Sequence, residues 1–239
     1  MISVIIPTLN EAETLPETLA HLRRNDTAHE TLVADARSTD RTIEAAEAAH
    51  CQIITADQPH RAKQMNLGAT RARGEILFFL HADTLIDSTA LQQIDMVLAD
   101  PQVVGGGFTR RYRGAPAFLR FTCAMADVRC RWLGWFLGDQ GIFVRRPAFE
   151  QLGGFQEMPL FEDLDLCRRL KRNGKLVCLG PPVMSSARRF ARRGAVFTSL
   201  FDAWLTLRYL AGTNPERLAR WRCAQNRRGK KKPSAASYA

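Results

Sequence analysis

Asp83 closes the apolar run Ile76-Leu-Phe-Phe-Leu80 through His81-Ala82-Asp83. A chain leaving a buried strand delivers such a carboxylate to the rim of the sheet, and His81 and Asp83 share a face if the backbone stays extended. Asp83, with His81 beside it, could hold Mg²⁺ or Mn²⁺ against a diphosphate. The same residues also suit a plain structural role, Asp83 capping the next turn with Thr84 and Asp87 and His81 hydrogen-bonded in place.

Five further segments carry candidate chemistry. The first apolar run ends in Pro7-Thr8-Leu9-Asn10-Glu11 and the second in Asp35. Asp35 lies before the helix-capping residues Ser38, Thr39 and Asp40 and is expected to be free to accept a base or ribose donor; a solvated loop acid is the other reading. Arg61 and Lys63, in Arg61-Ala-Lys-Gln64, combine positive charge with free helix amides, which suits phosphate or ribose as well as an ordinary helix start. Glu162 and Asp163 open a helix after Pro159, either as partners of its dipole or as a general base on an acceptor hydroxyl. Gly138-Asp139-Gln140-Gly141 is a tight loop that could present Asp139 and Gln140 to the same space.

These residues need a scaffold that gathers them, and the pattern of elements supplies one. Short β-branched or apolar runs at 2–7, 32–34, 53–55 and 76–80 suit strands buried on both faces. Between them lie helical patterns: Leu15, Leu19 and Leu22 behind a Thr14-x-x-Glu17 capping box, then 42–49, then Ala62, Met65, Ala69 and Ala72. The alternation predicts a parallel, doubly wound sheet over about the first 85 residues. Ligands then bind beyond the C-terminal ends of the strands, where the candidate acids stand. Further on, helices are expected at 87–98, 117–133 and 161–173 and strands at 103–112, 141–145 and 175–179. A last helix over 193–210 carries Val196, Phe197, Leu200, Trp204 and Leu207 at helical spacing, flanked by Arg188, Arg189, Arg192 and Arg193. That stripe is expected to pack on the domain, with a membrane surface as the alternative.

The chain has 239 residues and a net charge of +10, split unevenly: residues 1–100 carry −7 and residues 101–239 carry +17. The 13 basic residues between Arg188 and Lys232 face only Asp202 and Glu216, a block that can meet nucleic acid, an anionic membrane or an anionic substrate. No apolar stretch reaches the roughly 18 residues of a membrane span. The N-terminus reads as a strand and not as a signal peptide. Six scattered cysteines without a C-x-x-C pair suit reduced thiols. A cytoplasmic location is therefore expected, with peripheral contact at the inner membrane face left open. A dehydrogenase is disfavoured because no G-x-G-x-x-G follows the first strand.

Taken in order, Ile2-Ser-Val-Ile-Ile-Pro-Thr-Leu-Asn-Glu11, Asp35 in its Ser-Thr-Asp context, Leu80-His-Ala-Asp-Thr84, Leu152-Gly-Gly-Phe155 and Glu162-Asp163 resemble the motifs of family 2 glycosyltransferases of the GT-A fold. More narrowly, Arg61-Ala-Lys-Gln-Met-Asn-Leu-Gly-Ala69, Gly138-Asp-Gln-Gly-Ile-Phe-Val-Arg-Arg146 and Asn214-Pro-Glu-Arg-Leu-Ala-Arg-Trp221 resemble the small bacterial radical-SAM/selenodomain-associated transferase 2 subgroup. The resemblance implies an α/β GT-A fold, a Rossmann-like, mostly parallel sheet with helices on both faces, plus a C-terminal amphipathic helix. Residues 1–222 would form one domain, with a nucleotide-binding half at 1–100, an acceptor and catalytic half at 101–185 and a helical extension at 186–222, before a disordered basic tail at 223–239.

The implied activity is inverting, metal-dependent transfer of a sugar from a nucleoside-diphosphate-sugar to an acceptor hydroxyl. By that resemblance Pro7, Thr8, Asn10, Glu11, Asp35, Arg61, Gln64 and Asp83 bind the donor. Asp83 with His81 holds Mg²⁺ or Mn²⁺, Asp163 is the base with Glu162 adjoining, and Asp139 and Gln140 face the acceptor, which is lipid-linked or a small molecule. The sequence departs from the D-x-D pattern, His81 and Ala82 replacing the first carboxylate and the middle residue, so weaker metal affinity is expected. Arg217-Leu-Ala-Arg-Trp221 lacks the glutamine of the Q-x-x-R-W motif, which disfavours processive polymerisation. Peripheral membrane contact through residues 188–210 is the alternative docking. Two rival readings are a nucleotide-sugar-binding module without turnover, against which Glu162 and Asp163 argue, and a basic nucleic-acid-binding protein, against which the tail argues by having only Tyr238 for base stacking. No nucleic-acid partner is expected.

Overall fold

The computed structural model of the protein describes residues 1–114, 116–191 and 194–229. Its first half alternates as the apolar runs require: β1 (Ile2–Thr8), α1 (Leu15–Leu22), β2 (His29–Asp35), α2 (Thr42–Ala48), β3 (Gln52–Thr55), α3 (Arg61–Arg71) and β4 (Ile76–Phe79). The second half is less regular: β5 (Thr84–Leu85), α4 (Ala90–Val97), β6 (Val103–Tyr112), α5 (Ala117–Leu133), a single 3₁₀ turn at Gly138–Gln140, β7 (Ile142–Arg145), α6 (Arg146–Gln151), α7 (Glu162–Leu170) and β8 (Lys175–Ser185). Three helices follow, α8 (Arg188–Ala191), α9 (Ala195–Leu210) and α10 (Pro215–Gly229).

Among the described residues eight strands form one sheet in the order β3-β2-β1-β4-β7-β6-β8-β5. The first four are parallel, β7 runs antiparallel to both β4 and β6, β8 is parallel to β6, and β5 is antiparallel to β8. The chain moves outward from β1 to β3 and then returns to the other side of β1 for β4. Strand order therefore reverses between β1 and β4, which opens a crevice at their C-terminal ends.

The pleat explains why β1 is apolar throughout. Ile2, Val4 and Ile6 join Leu15, Leu19 and Leu22 of α1 and Leu91 and Ile94 of α4 on one side. Ile5 joins Met65 and Ala69 of α3, Phe149 of α6 and Leu166 and Leu170 of α7 on the other. Helices on both faces leave no solvated side for polar residues to occupy, as in parallel sheets generally. The C-terminal helices join the same body, for Leu205 of α9 and Leu218 of α10 are buried with Leu160, Phe161 and Leu164 at the start of α7.

Several expectations need correction. The Thr14-x-x-Glu17 capping box does not form: Thr14 donates instead to Glu11 Oε2 at 2.7 Å, and Glu17 accepts from Arg113 at 2.7 Å. β2 begins at His29, three residues before its apolar core, because it pairs with β1 along its whole length. β8 continues past the expected end at 179, through Pro181 and Pro182, to Ser185. The stripe of Val196, Phe197, Leu200, Trp204 and Leu207 is exposed, and α9 packs through Phe201, Leu205, Tyr209 and Leu210 instead. Disorder expected from residue 223 does not hold for 223–229, which continue α10, and 230–239 lie outside the described residues. Arg192 and Arg193 lie outside them as well.

Candidate active site

The rim of the crevice is held by side chains at the ends of β1 and β2. Thr8 donates to Asp35 Oδ1 at 2.8 Å, and Asp35 also accepts from the Ser38 amide at 2.7 Å and the Ser38 hydroxyl at 2.5 Å. Asn10, in the left-handed region at φ 55°, accepts from the Thr39 amide at 2.9 Å, and the Glu11 amide donates to Thr42. The Gln64 amide reaches up from α3 to donate to the carbonyls of Thr8 and Ala34, each at 2.8 Å. The sequence suggested that Asp35 was free to accept a donor. It is instead buried, its carboxylate taken up by tying the two loops together. Thr8, Asn10, Asp35 and Gln64 thus shape the rim, and the Pro7 that precedes Thr8 is the half-buried residue of β1.

Beside this rim lies a cavity of about 540 Å³ that gathers Arg61, His81, Asp83, Asp139 and Asp163. Their elements are far apart in sequence: α3, the turn after β4, the 3₁₀ turn and α7. Phe161 directs the last of these. It adopts φ 71°, unusual for a bulky residue, and stacks on Tyr209 with centroids 4.8 Å apart. That turn starts α7 with Glu162 and Asp163, of which Asp163 lines the cavity and is 6% exposed.

Asp163 is held from two sides. Oδ2 accepts from the Gly138 amide at 2.6 Å and Oδ1 from its neighbour Leu164 at 2.7 Å. Burial, and secondarily the charge of Glu162, push its carboxyl up to about 6, against the pull of Arg61 and the two amides. Glu162 is buried and accepts from Arg61 Nε, so the guanidinium stands at the cavity wall with its counter-ion behind it. Burial disfavours the charged Arg61, but the charges of Glu162 and Asp163 outweigh it and move its pKa up. Gly138 packs directly on the His81 ring, at a position where a Cβ would collide with Nε2.

Asp83 faces Glu11 across a shared cation. Arg188 Nη2 lies 3.1 Å from Glu11 Oε2 and 3.4 Å from Asp83 Oδ2. Burial and the nearby Glu11 raise the Asp83 pKa, and Arg188 restrains the rise. Asp83 and His81 therefore stand at one wall of the cavity next to a place that already attracts positive charge. No group of three or more His, Cys, Asp or Glu side chains suited to a metal is present among the described residues. Two protein donors fit an ion that takes most of its ligands from phosphate and water, the habit of Mg²⁺, and suit a dedicated all-protein cage poorly.

Not every expected residue reaches the space. Gln140 is fully buried, its side chain bonded to Phe108 O at 2.9 Å and to Arg129 at 2.6 Å, so it braces the turn and does not face an acceptor. Asp139 lines the cavity, but it is gripped by Arg110 at 2.7 and 2.5 Å. Sequence reasoning missed Arg110, Arg188, Asp202 and Arg222, all of which line the cavity. The last two form an ion pair at 2.5 Å between α9 and α10. The basic block after residue 188 was the available signal; it did not say which arginines turn inward.

Comparison with known proteins places this geometry in context. The family profile described as Glycosyl transferase family 2 matches residues 3–153. No curated protein matches the chain. Among solved structures, the mannosyltransferase PcManGT from Pyrobaculum calidifontis, in complex with GDP-Man and Mn²⁺, superposes with a TM-score of 0.63 at 25% identity, covering 77% of this chain and 56% of that one. TarS from S. aureus with UDP-GlcNAc gives 0.61 at 18% identity, covering 78% and 58%. Glucosyl-3-phosphoglycerate synthase from Mycobacterium tuberculosis with Mn²⁺ and UDP gives 0.56 at 17% identity, covering 78% and 70%. The chain spans less than two thirds of the length of the first two. The doubly wound, mostly parallel sheet with helices on both faces is the GT-A fold of these structures.

Proposed function

The chain belongs to glycosyl transferase family 2, and from that membership we propose that it is an inverting, metal-assisted glycosyltransferase moving a sugar from a nucleoside-diphosphate-sugar to an acceptor hydroxyl. The observation that carries this reading is Asp163: a buried carboxylate on the wall of a cavity shared with Asp83, held in one orientation by two amides and tuned to about 6. A general base works best when its pKa lies near the operating pH, and such a base contributes typically 10²- to 10⁴-fold. Asp163 accepts the acceptor proton as the hydroxyl attacks the anomeric carbon, and no covalent sugar-enzyme intermediate is needed.

The donor lies against the crevice at the ends of β1 and β4. The loops locked by Thr8, Asn10 and Asp35 frame the nucleoside, and Arg61, charged and backed by Glu162, meets the diphosphate. Asp83, with His81 next to it, would hold Mg²⁺ or Mn²⁺. A bound ion of this kind neutralises the departing diphosphate, an effect worth several kcal/mol. Structural neighbours solved with GDP-Man, UDP-GlcNAc and Mn²⁺ support this donor class and ion. The Arg61 to Ala69, Gly138 to Arg146 and Asn214 to Trp221 motifs support the radical-SAM/selenodomain-associated transferase 2 subgroup. Residues 1–222 work in this reading as one unit, with 1–100 for the nucleotide, 101–185 for acceptor and catalysis, and 186–222 as its helical extension.

The test is a thermal-shift panel of UDP-, GDP-, CMP- and dTDP-sugars with and without Mn²⁺, followed by product analysis. A donor at 100 times its dissociation constant adds roughly 2.7 kcal/mol of stability. Stabilisation by at least one donor, enhanced by Mn²⁺ and lost in Asp83→Ala, is expected. Absence of any donor effect would sink the reading.

A further inference from the structure

Helices α5 and α9 pack beside one another, and each is apolar on two sides. On α5 the stripe Leu119, Cys123, Ala126 and Cys130 is buried. On the opposite side Phe121, Met125, Val128 and Trp132 repeat at intervals of four, three and four, and all are exposed. At 78%, Trp132 is the most exposed large apolar residue described. On α9 the packing is done by Leu205 and its neighbours, while Val196, Phe197, Leu200, Trp204 and Leu207 stay open to solvent. Soluble surfaces scatter such residues singly; two adjoining helices with a continuous apolar stripe each mark a surface made to be covered.

We propose that α5 and α9 form a docking face that seats the protein on an anionic lipid bilayer. Three observations select this occupant. The flanks of the stripes are basic: Arg120 and Arg131 on α5 and Arg208 on α9 are exposed, and the sequence from Arg188 to Lys232 carries 13 basic residues. A bilayer carrying negative headgroups complements that charge, whereas a second copy, at net +10, would bring arginine against arginine. Aromatic and aliphatic side chains on one helix side with arginine at the margins match a helix lying in the interface plane, and at 17 and 16 residues neither helix is long and apolar enough to cross.

The arrangement also has a consequence for the cavity. The inner side of α9 contributes Thr198, Asp202 and Thr206 to it. Lipid against the outer side therefore sits about one helix diameter, ~10 Å, from the cavity wall. An acceptor carried in the bilayer would have a short path to Asp163. The docking itself stands on exposure and charge, independently of glycosyl transfer.

The test is flotation of the full chain with vesicles of phosphatidylcholine alone and with vesicles in which about a third of the lipid is phosphatidylglycerol. Binding to the anionic vesicles is expected, about tenfold above the neutral ones and weakened by salt. The pair Phe121→Ser with Trp132→Ser, and separately Leu200→Ser with Leu207→Ser, should each lower binding about tenfold. Both pairs leave every charge in place, and circular dichroism and melting check that each stays folded. Wild-type protein that ignores anionic vesicles, or serine variants that bind them as well as wild type, would overturn the proposal. So would a wild-type dimer that the serine variants convert to monomer, since a second copy would then be the cover.

Discussion

The backbone amide of Gly138 donates to Asp163 Oδ2 at 2.6 Å, joining residues 25 apart in sequence. The bond fixes the plane of the carboxylate, and the Leu164 amide fixes its other oxygen. Gly138 also packs on His81, so one glycine stands between the candidate base and the candidate metal side of the cavity.

Asp163→Asn should retain donor stabilisation in thermal shift and lose transfer by about 10²- to 10⁴-fold, the range for removing a general base. Turnover near the wild-type rate would assign the base to another residue.

Activity should rise with pH around 6, where the Asp163 carboxyl ionises. Its stability contribution runs the other way. A carboxyl whose folded pKa is raised from about 3.9 binds its proton more tightly in the native state, so its stabilisation is full below 3.9 and is lost as pH rises through about 6. Denaturant titrations at several pH values should show this decline between roughly pH 4 and 6 and a flatter profile for Asp163→Asn.

Gly138→Ala places a Cβ against the His81 ring, and a shift of residue 138 away from that ring would move the amide that holds Asp163. Overpacking of this kind destabilises by about 1–3 kcal/mol. Transfer should fall more than donor binding does, which a comparison of kcat and KM would reveal.

Arg188→Gln removes the cation shared by Glu11 and Asp83. Asp83, already raised by burial and by Glu11, should move further up. Above that pKa, calorimetry should find tighter donor-free Mn²⁺ binding than in wild type, and Asp83→Ala should abolish it. Unchanged Mn²⁺ affinity would show that arginine and metal do not compete for the same carboxylates.

Gln64→Leu should lower ligand-free stability by about 1–3 kcal/mol, because the Thr8 and Ala34 carbonyls lose a buried donor. A normal melting temperature with lost donor affinity would return Gln64 to the role of direct donor contact.

Much of this scaffold is legible in the sequence. β1 and β4 are apolar at nearly every position, because helices cover both faces of the sheet, and their ends mark where the chain meets the crevice. Such endings and helix starts pointed to Asp83, Arg61 and Asp163, which line one cavity in the fold. That Asp35, Gln64 and Gln140 brace loops was not visible in the sequence, because an acid or amide next to a site has the same local sequence whether it faces open space or ties a loop. The extension of β8 past two prolines was hidden for a related reason: the register between β6 and β8 holds strand geometry that local propensity disfavours.

The alternation of strands and helices in the first half and the set of chemically able residues were thus settled by the sequence itself, since each follows from periodicities a few residues long, whereas the strand order rests on pairings such as that of Ile76 with Arg145. Tertiary structure alone decided which carboxylates face the cavity, which arginine answers each of them and which side of α9 is left bare. Those outcomes depend on partners such as Arg61 and Glu162, 101 positions apart, and on whether burial leaves a charged group a partner or only solvent to replace.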